Sequence, residues 1–178
     1  VAQAFLLRLQ SWRHKLGRFM LLDPTGAGLK NSFLDHRKLD YRFIQGRLRL
    51  PEEINNYHQL LRAHEIDIVL DLTDQDTIPF LAATDAAGVS YVNTALNDAR
   101  RGVGDVLDSV HPSREDQRKA PHIISSGMNP GVVNIWVWNA VRAYGPPTEI
   151  THFEYDTSMP VTGWRPMITW SRQEFLAE

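Results

Sequence analysis

Pro121–Asn134 reads P-H-I-I-S-S-G-M-N-P-G-V-V-N, a buried-strand run that breaks into Gly-Met-Asn-Pro-Gly and restarts as a helix. Asn129 is placed to cap that helix and Pro130 to sit in its first turn, while Gly127 and Gly131 permit tight backbone turns. Val133, Trp136, Val137, Ala140 and Val141 then recur at 3.6-residue spacing, which predicts one apolar helical face. A strand ending in glycines at a helix start directs backbone N–H groups and a helix dipole toward the carboxyl edge of a sheet, where open α/β sheets bind ligands. An ordinary strand–turn–helix joint uses the same residues, so this stretch alone leaves both readings open.

Working outward, short apolar runs alternate with helical patterns. Residues 1–16 predict an amphipathic helix stopped at Gly17, followed by a strand over 18–22 that runs into Asp23. Tyr41–Gln45 is a weaker strand pattern, and Pro51–Glu65 a helix carrying Ile54, Tyr57, His58 and Leu61 on one side. Ile66–Leu72 predicts a strand, Thr73–Ala87 a helix closed by Gly88, and Val89–Thr94 a strand. Gly102–Lys119 reads as helix plus surface loop, Ile123–Ser126 as a strand, Gly131–Tyr144 as a helix, and Glu149–Tyr155 as an alternating strand. The expected class is α/β: a Rossmann-like, doubly wound, mostly parallel sheet. The Gly145–Pro146–Pro147 break divides a dinucleotide-binding domain, 1–147, from the start of an α+β substrate domain, 148–178.

Composition excludes several classes. The 178 residues contain no cysteine, which removes disulfides, thiolate catalysis and cysteine-ligated zinc and suits a cytoplasmic setting. A net charge of −2 offers no basic field for nucleic acid, and Arg42–Arg49 is a short basic cluster balanced by Glu52 and Glu53. No apolar run reaches the ~18 residues of a membrane span. The seven histidines form no metal-ligand spacing backed by carboxylates, so no metal is expected. Neither G-x-S-x-G nor a P-loop is present, which leaves hydrolase and kinase readings without support.

A Rossmann domain opens with a strand, G-x-G-x-x-G, a helix, a second strand and an acid about 20 residues beyond the glycines. This chain carries the helix, the second strand and the acid, Asp23, without the first strand or the fingerprint. The internal Gly26-Ala27-Gly28 follows the acid and is read as a turn. The expectation is that both missing parts lie upstream of Val1, that the chain is a piece of a longer protein, and that it depends on those residues to fold. Asp23 would accept hydrogen bonds from an adenosine ribose and favour NAD over NADP; the alternative is an exposed turn aspartate in Asp-Pro-Thr-Gly.

Four stretches taken together carry a resemblance: V-L-D-L-T at Val69–Thr73, G-V-S-Y-V-N-T at Gly88–Thr94, S-G-M-N-P-G at Ser126–Gly131, and T-W-S-R-Q-E-F-L-A-E at Thr169–Glu178. In this order they resemble the saccharopine dehydrogenase-like oxidoreductases, and most nearly the bacterial homospermidine synthases. The resemblance implies NAD-dependent chemistry on a putrescine-like amine in a homodimer. A diamine is oxidised to an imine, a second amine replaces ammonia, and the same NADH reduces the new imine. It also implies that Asn-Pro-Gly lies beside the nicotinamide and that Thr-Trp-Ser opens the substrate domain. Asn97 stands where the polyamine enzymes carry a glutamate, with Asp98 next to it, and both are assigned to the substrate side.

On that pattern Trp170 supplies an aromatic face for an ammonium group, Glu178 a carboxylate to hold the amine or shuttle a proton, and Glu174 is its rival one turn earlier. Asn129 is expected to meet the nicotinamide carboxamide or the substrate. Ser126 and Gly127 line the same edge, Thr73 contacts the cofactor or caps the next helix, and Asn93 and Thr94 meet the nicotinamide ribose. Trp136 and Trp138 are assigned to helix packing. A saccharopine or carboxyspermidine-type enzyme acting on an amino acid would need an arginine such as Arg165 or Arg172 for the substrate carboxylate. The alternative of another class is an NAD-binding module without catalysis.

Overall fold

The computed structural model describes residues 10–26, 41–110, 117–153 and 155. The chain divides into two compact units, Val1–Asp67 and Ile68–Glu178. Both are built from short parallel strand pairs and helices.

In the first unit, Gln10–Lys15 forms a 3-10 helix where the end of a longer amphipathic helix was expected; residues 1–9 lie outside the described residues. Strand β1, Phe19–Asp23, pairs in parallel with β2, Tyr41–Gln45, in the register Phe19↔Tyr41 to Asp23↔Gln45. Beyond β1 the chain turns around Asp23, whose Oδ1 accepts hydrogen bonds from the Thr25 and Gly26 N–H groups at 2.8 Å each and from the Thr25 hydroxyl at 3.0 Å. Gly26 lies at φ +61 with the Phe43 ring beside its Cα, so the turn needs a residue without a side chain there. Helix α1, Ile54–Ala63, buries Tyr57 and Leu61, a pair four residues apart on one face. Its end is a Schellman-type closure in which Ile66 N–H reaches the Leu61 carbonyl and Glu65 takes the left-handed position at φ 50.

The second unit holds β3, Ile68–Asp71, and β4, Ser90–Asn93, parallel in the register Ile68↔Ser90 to Asp71↔Asn93. Helix α2, Thr77–Ala86, connects them and buries Thr77, Phe80, Leu81, Ala83 and Thr84. Gly88 closes α2 at φ +73, with Val89 N–H returning to the Thr84 carbonyl at 3.1 Å. Helix α3, Val103–Val110, contacts α2 and buries Val106 and Val110. Tyr91, fully buried, lies at the centre of this core.

The segment expected as a strand over Ile123–Ser126 contributes one parallel bridge, Ile123 to Val92, and no regular strand. Ile123 N–H donates to the Tyr91 carbonyl at 2.9 Å and Asn93 N–H to the Ile123 carbonyl at 3.1 Å, after which Ser125 turns to φ 58. That left-handed residue breaks the extended ladder, and Ser126 rather than Ser125 bonds the Asn93 carbonyl. The alternating 149–155 pattern also forms no strand among its described residues, and Phe153 and Tyr155 are exposed. Alternation calls for a neighbouring ladder, and none pairs with it there.

Helix α4, Val132–Tyr144, begins later than expected. Gly131 is its cap residue, at φ 136, and its N–H donates to the Asn134 Oδ1 at 2.9 Å. Asn129 and Pro130 therefore precede the helix in a turn and do not form its cap and first residue. The cause is local: Asn134 reaches back to the cap N–H from inside the helix, one half of a capping box. The α4 side chains expected to pack, Trp136 and Trp138, are exposed, and no α4 residue is fully buried.

Candidate functional site

Three chain segments of the second unit meet at the carboxyl ends of β3 and β4. At the first, Asp71 Oδ1 accepts the Thr73 N–H at 2.9 Å and the Thr73 hydroxyl at 2.8 Å, while Oδ2 accepts the Tyr91 hydroxyl at 2.7 Å. Thr73 Oγ1 in turn accepts the Gln75 N–H at 3.3 Å, and the Thr73 carbonyl accepts Asn97 Nδ2 at 3.0 Å. Thr73 thus shapes the turn before α2 without capping it. Asp76 holds the cap position and accepts the Ala99 N–H at 2.8 Å.

At the second segment Asn93 is 3% exposed and joins all three parts. Its Nδ2 donates to Thr77 Oγ1 at 3.3 Å, its Oδ1 accepts the Ser125 N–H at 2.9 Å, and its carbonyl accepts both the N–H and the hydroxyl of Ser126 at 2.9 and 2.7 Å. A buried carboxamide with each end paired is a structural staple, since leaving either unpaired would cost about 1–3 kcal/mol. Asn97 is held by its N–H on Thr77 Oγ1, and its carbonyl accepts the Thr77 N–H at 2.8 Å.

Asp98 folds the next turn. Its Oδ1 accepts the Arg100 and Arg101 N–H groups, and its Oδ2 takes Arg101 Nη2 at 2.7 Å and Nε at 3.0 Å. The Arg101 hydrogen bond outweighs burial and holds the Asp98 carboxyl below its ordinary range, and Asp98 raises Arg101 in return. The remaining Arg101 nitrogen, Nη1, donates to Ser109 Oγ at 3.0 Å.

The third segment, Ser125–Gly131, explains its own glycines. A Cβ on Gly127 would overlap the Thr94 carbonyl oxygen, and one on Gly131 would overlap the Gly127 carbonyl and crowd that of Ser125. Val132 and Val133 N–H groups donate to the Gly127 and Met128 carbonyls at 2.9 and 3.1 Å. The first α4 donors are thus taken by their own loop, which removes the anion cradle expected at that helix start. Ser125 combines left-handed backbone with an enclosed hydroxyl that has no hydrogen-bond partner. The side chains of Thr94, half-buried, and Asn129, exposed, make no hydrogen bond to another described residue.

The structure therefore brings Thr73, Asn93, Thr94, Asn97, Asp98, Ser126, Gly127 and Asn129 to one end of the second unit. Asp23 belongs to the first unit, at the carboxyl end of β1, where the Thr25 and Gly26 N–H groups hold its carboxyl below the ordinary value. Trp170, Glu174 and Glu178 lie outside the described residues. Asp71, which the residues alone place with Thr73 and Asp74 on the adenosine–pyrophosphate side of the cofactor, turns out to close the turn after β3, and three further contributors escaped prediction: Thr77, Ser125 and His122. Asp71 had a legible signal, an acid at a strand end two residues before a threonine, the pattern of a side-chain-closed turn. The other three act across 16 to 37 residues of sequence, and no local pattern marks them.

Among the described residues no group of three or more histidine or acidic side chains could hold a metal ion, and no helix is long and apolar enough to cross a membrane. No protein-family model and no curated protein matches this chain.

Proposed function

We propose that the chain is the nucleotide-binding part of an NAD-dependent oxidoreductase and transferase of amines, of the homospermidine synthase type, on a Rossmann-like scaffold. The observation that carries the reading is the meeting of three chain segments at the carboxyl ends of two parallel strands, with Ser125 strained and its hydroxyl unpaired there. Ligands of open α/β sheets bind at such edges, and strained backbone concentrates at functional sites.

The residues suit the group in part. The Thr94 hydroxyl and the Asn129 carboxamide are open for a ribose hydroxyl and a carboxamide, whereas Asn93, Thr73 and Ser126 hold the edge in shape from behind. In the first unit, Asp23 keeps its turn bonds all on Oδ1 and is held below the ordinary carboxyl value by the Thr25 and Gly26 N–H groups. When bound, NAD supplies hydride acceptance and return. Asp98 already holds Arg101, so an amine would find its carboxylate in Glu178 or Glu174 and its aromatic face in Trp170.

The test is calorimetric titration of NAD into the protein carrying this chain, with Asn129→Ala and Thr94→Val beside it. Binding weakened about 5- to 100-fold by either change, the loss of one ligand hydrogen bond, supports the reading. Release of ammonia with formation of the coupled triamine, and no net NADH, when putrescine and NAD are offered to the protein carrying this chain supports the amine chemistry. Binding without ammonia release reassigns the chain to a non-catalytic module, and absence of NAD binding ends the proposal.

A further inference from the structure

His122 occupies an unusual place in the β4 ladder. Continuing the parallel pairing past Ile123 would bring the Pro121 carbonyl to the Tyr91 N–H. The Tyr91 N–H instead donates to His122 Nδ1 at 3.1 Å, so an imidazole stands where a carbonyl belongs. Its other nitrogen, Nε2, lies 2.8 Å from Asp85 Oδ1 near the end of α2, and the imidazole is 8% exposed. A backbone N–H can only donate, so Nδ1 is the unprotonated nitrogen and Nε2 carries the hydrogen given to Asp85.

Among the described residues, the charged groups around the imidazole are already committed to other partners. Asp85 Oδ1 also accepts the Lys119 N–H at 2.8 Å and the Ala120 N–H at 3.3 Å. Lys119 Nζ is committed to the Ala86 carbonyl at the end of α2, and Arg118 Nη2 to the Val110 carbonyl at the end of α3. From β4 the facing residue is Tyr91, whose hydroxyl is given to Asp71 on β3. His122 is thus the titratable link between this segment and β4, and Asp85 is its charged neighbour.

We infer that His122 is a proton-operated latch on the Ile123–Gly131 segment. In its neutral form it joins Tyr91 to Asp85. A proton taken from solvent at Nδ1 makes the imidazolium, removes the acceptor of the Tyr91 N–H and sets two N–H groups against each other. The bond to Asp85 persists as an ion pair, so the segment stays tethered to α2 while its pairing with β4 loosens. Ile123, Ser125 and Ser126 bond β4 immediately beyond the latch, and Gly127 rests on Thr94, so proton uptake lowers the order of the carboxyl edge. This inference does not depend on which ligand that edge takes.

The test is nuclear magnetic resonance on the full chain with labelled histidine, together with amide exchange from about pH 8 to about pH 5. At the upper pH, His122 Nδ1 should give the signal of an unprotonated ring nitrogen and Nε2 that of a protonated one. On acidification, protection of the Tyr91, Ile123 and Ser126 amides, corrected for intrinsic exchange, should fall about three- to tenfold, the weight of one hydrogen bond. Val92, which faces β3, should keep its protection. His122→Asn offers an amide oxygen to Tyr91 and gains no proton, so protection should no longer depend on pH. Asp85→Asn keeps acceptors for Lys119 and Ala120 without the charge, and should move the fall to lower pH. A protonated Nδ1 at the upper pH, unchanged protection in the wild type, or a fall that stays in place in Asp85→Asn overturns the latch.

Discussion

Helices α2 and α4 both follow a turn at the carboxyl edge of β3 and β4 and both are rich in apolar residues, yet α2 buries five side chains and α4 none. The difference lies in what surrounds each. Helix α2 connects two strands that pair with each other, so β4 lies against it; its small buried residues, Ala83 and Thr84, allow close approach. Helix α4 is fastened through its first turn, by Val132 on Gly127, Val133 on Met128 and Gly131 on Asn134, while Trp136 and Trp138 remain 59% and 62% exposed. Apolar spacing thus announces a helix and its greasy side. It does not say what covers that side.

The largest expected effect tests this contrast directly. Phe80→Ala should lower stability by about 3–5 kcal/mol in urea unfolding, because the ring is 8% exposed in α2 and its loss leaves a cavity. Trp138→Ala removes a larger side chain from α4 and should cost less than about 1 kcal/mol. Equal losses at the two positions would break the comparison, since α4 would then be anchored by its face.

If α4 is held at its start, the glycine there should matter more than any tryptophan along it. Gly131→Ala forces a Cβ toward the Gly127 and Ser125 carbonyls at φ 136, and should cost about 2–4 kcal/mol. Gly104→Ala is the control. It lies in α3 with open space around it, and alanine there should stabilise by about 0.5–1 kcal/mol. A mild Gly131→Ala would show that the Ser125–Gly131 loop can be rebuilt without disturbing the helix.

These helices also show how much could be read from the residues alone. The runs I-V-L-D and S-Y-V-N announce short parallel strands, and Gly88 announces the end of α2, because each signal is contained within a few residues. The clustering of Thr73, Asn93, Thr94, Ser126 and Gly127 followed from strand-end positions in a βαβ pattern. Their roles did not: a polar residue at a strand end reads the same whether it faces a ligand or a neighbouring backbone. Asn93 faces backbone and Thr77, Asp98 faces Arg101, and only the folded chain distinguishes these cases. The Asn129 cap failed for a related reason, because Asn134 competes for the same donor from the other side. Ser125 and His122 depend on contacts 31 to 37 residues away, beyond any local pattern.

The smallest expected effect concerns acid, and sharpens the contrast at the other ends of the helices. Helix α2 closes on Asp85, where α4 has no acidic group in its last turn. Burial pushes the Asp85 carboxyl up, but hydrogen bonds from His122, Lys119 and Ala120, with the His122 charge, outweigh it and leave the group below its ordinary value. A carboxyl lowered by folding adds stability that is present above its unfolded pKa of about 3.9 and disappears as pH falls through the folded value. Wild type should therefore be more stable than Asp85→Asn at about pH 7, and the gap between their urea midpoints should close as the pH drops below about 4. A carboxylate near a helix carboxyl end opposes the helix dipole, so its benefit rests on the hydrogen bonds and charge of its partners. A gap that persisted unchanged into strong acid would mean that Asp85 acts through shape and not through charge, and α2 would then differ from α4 only in its packing.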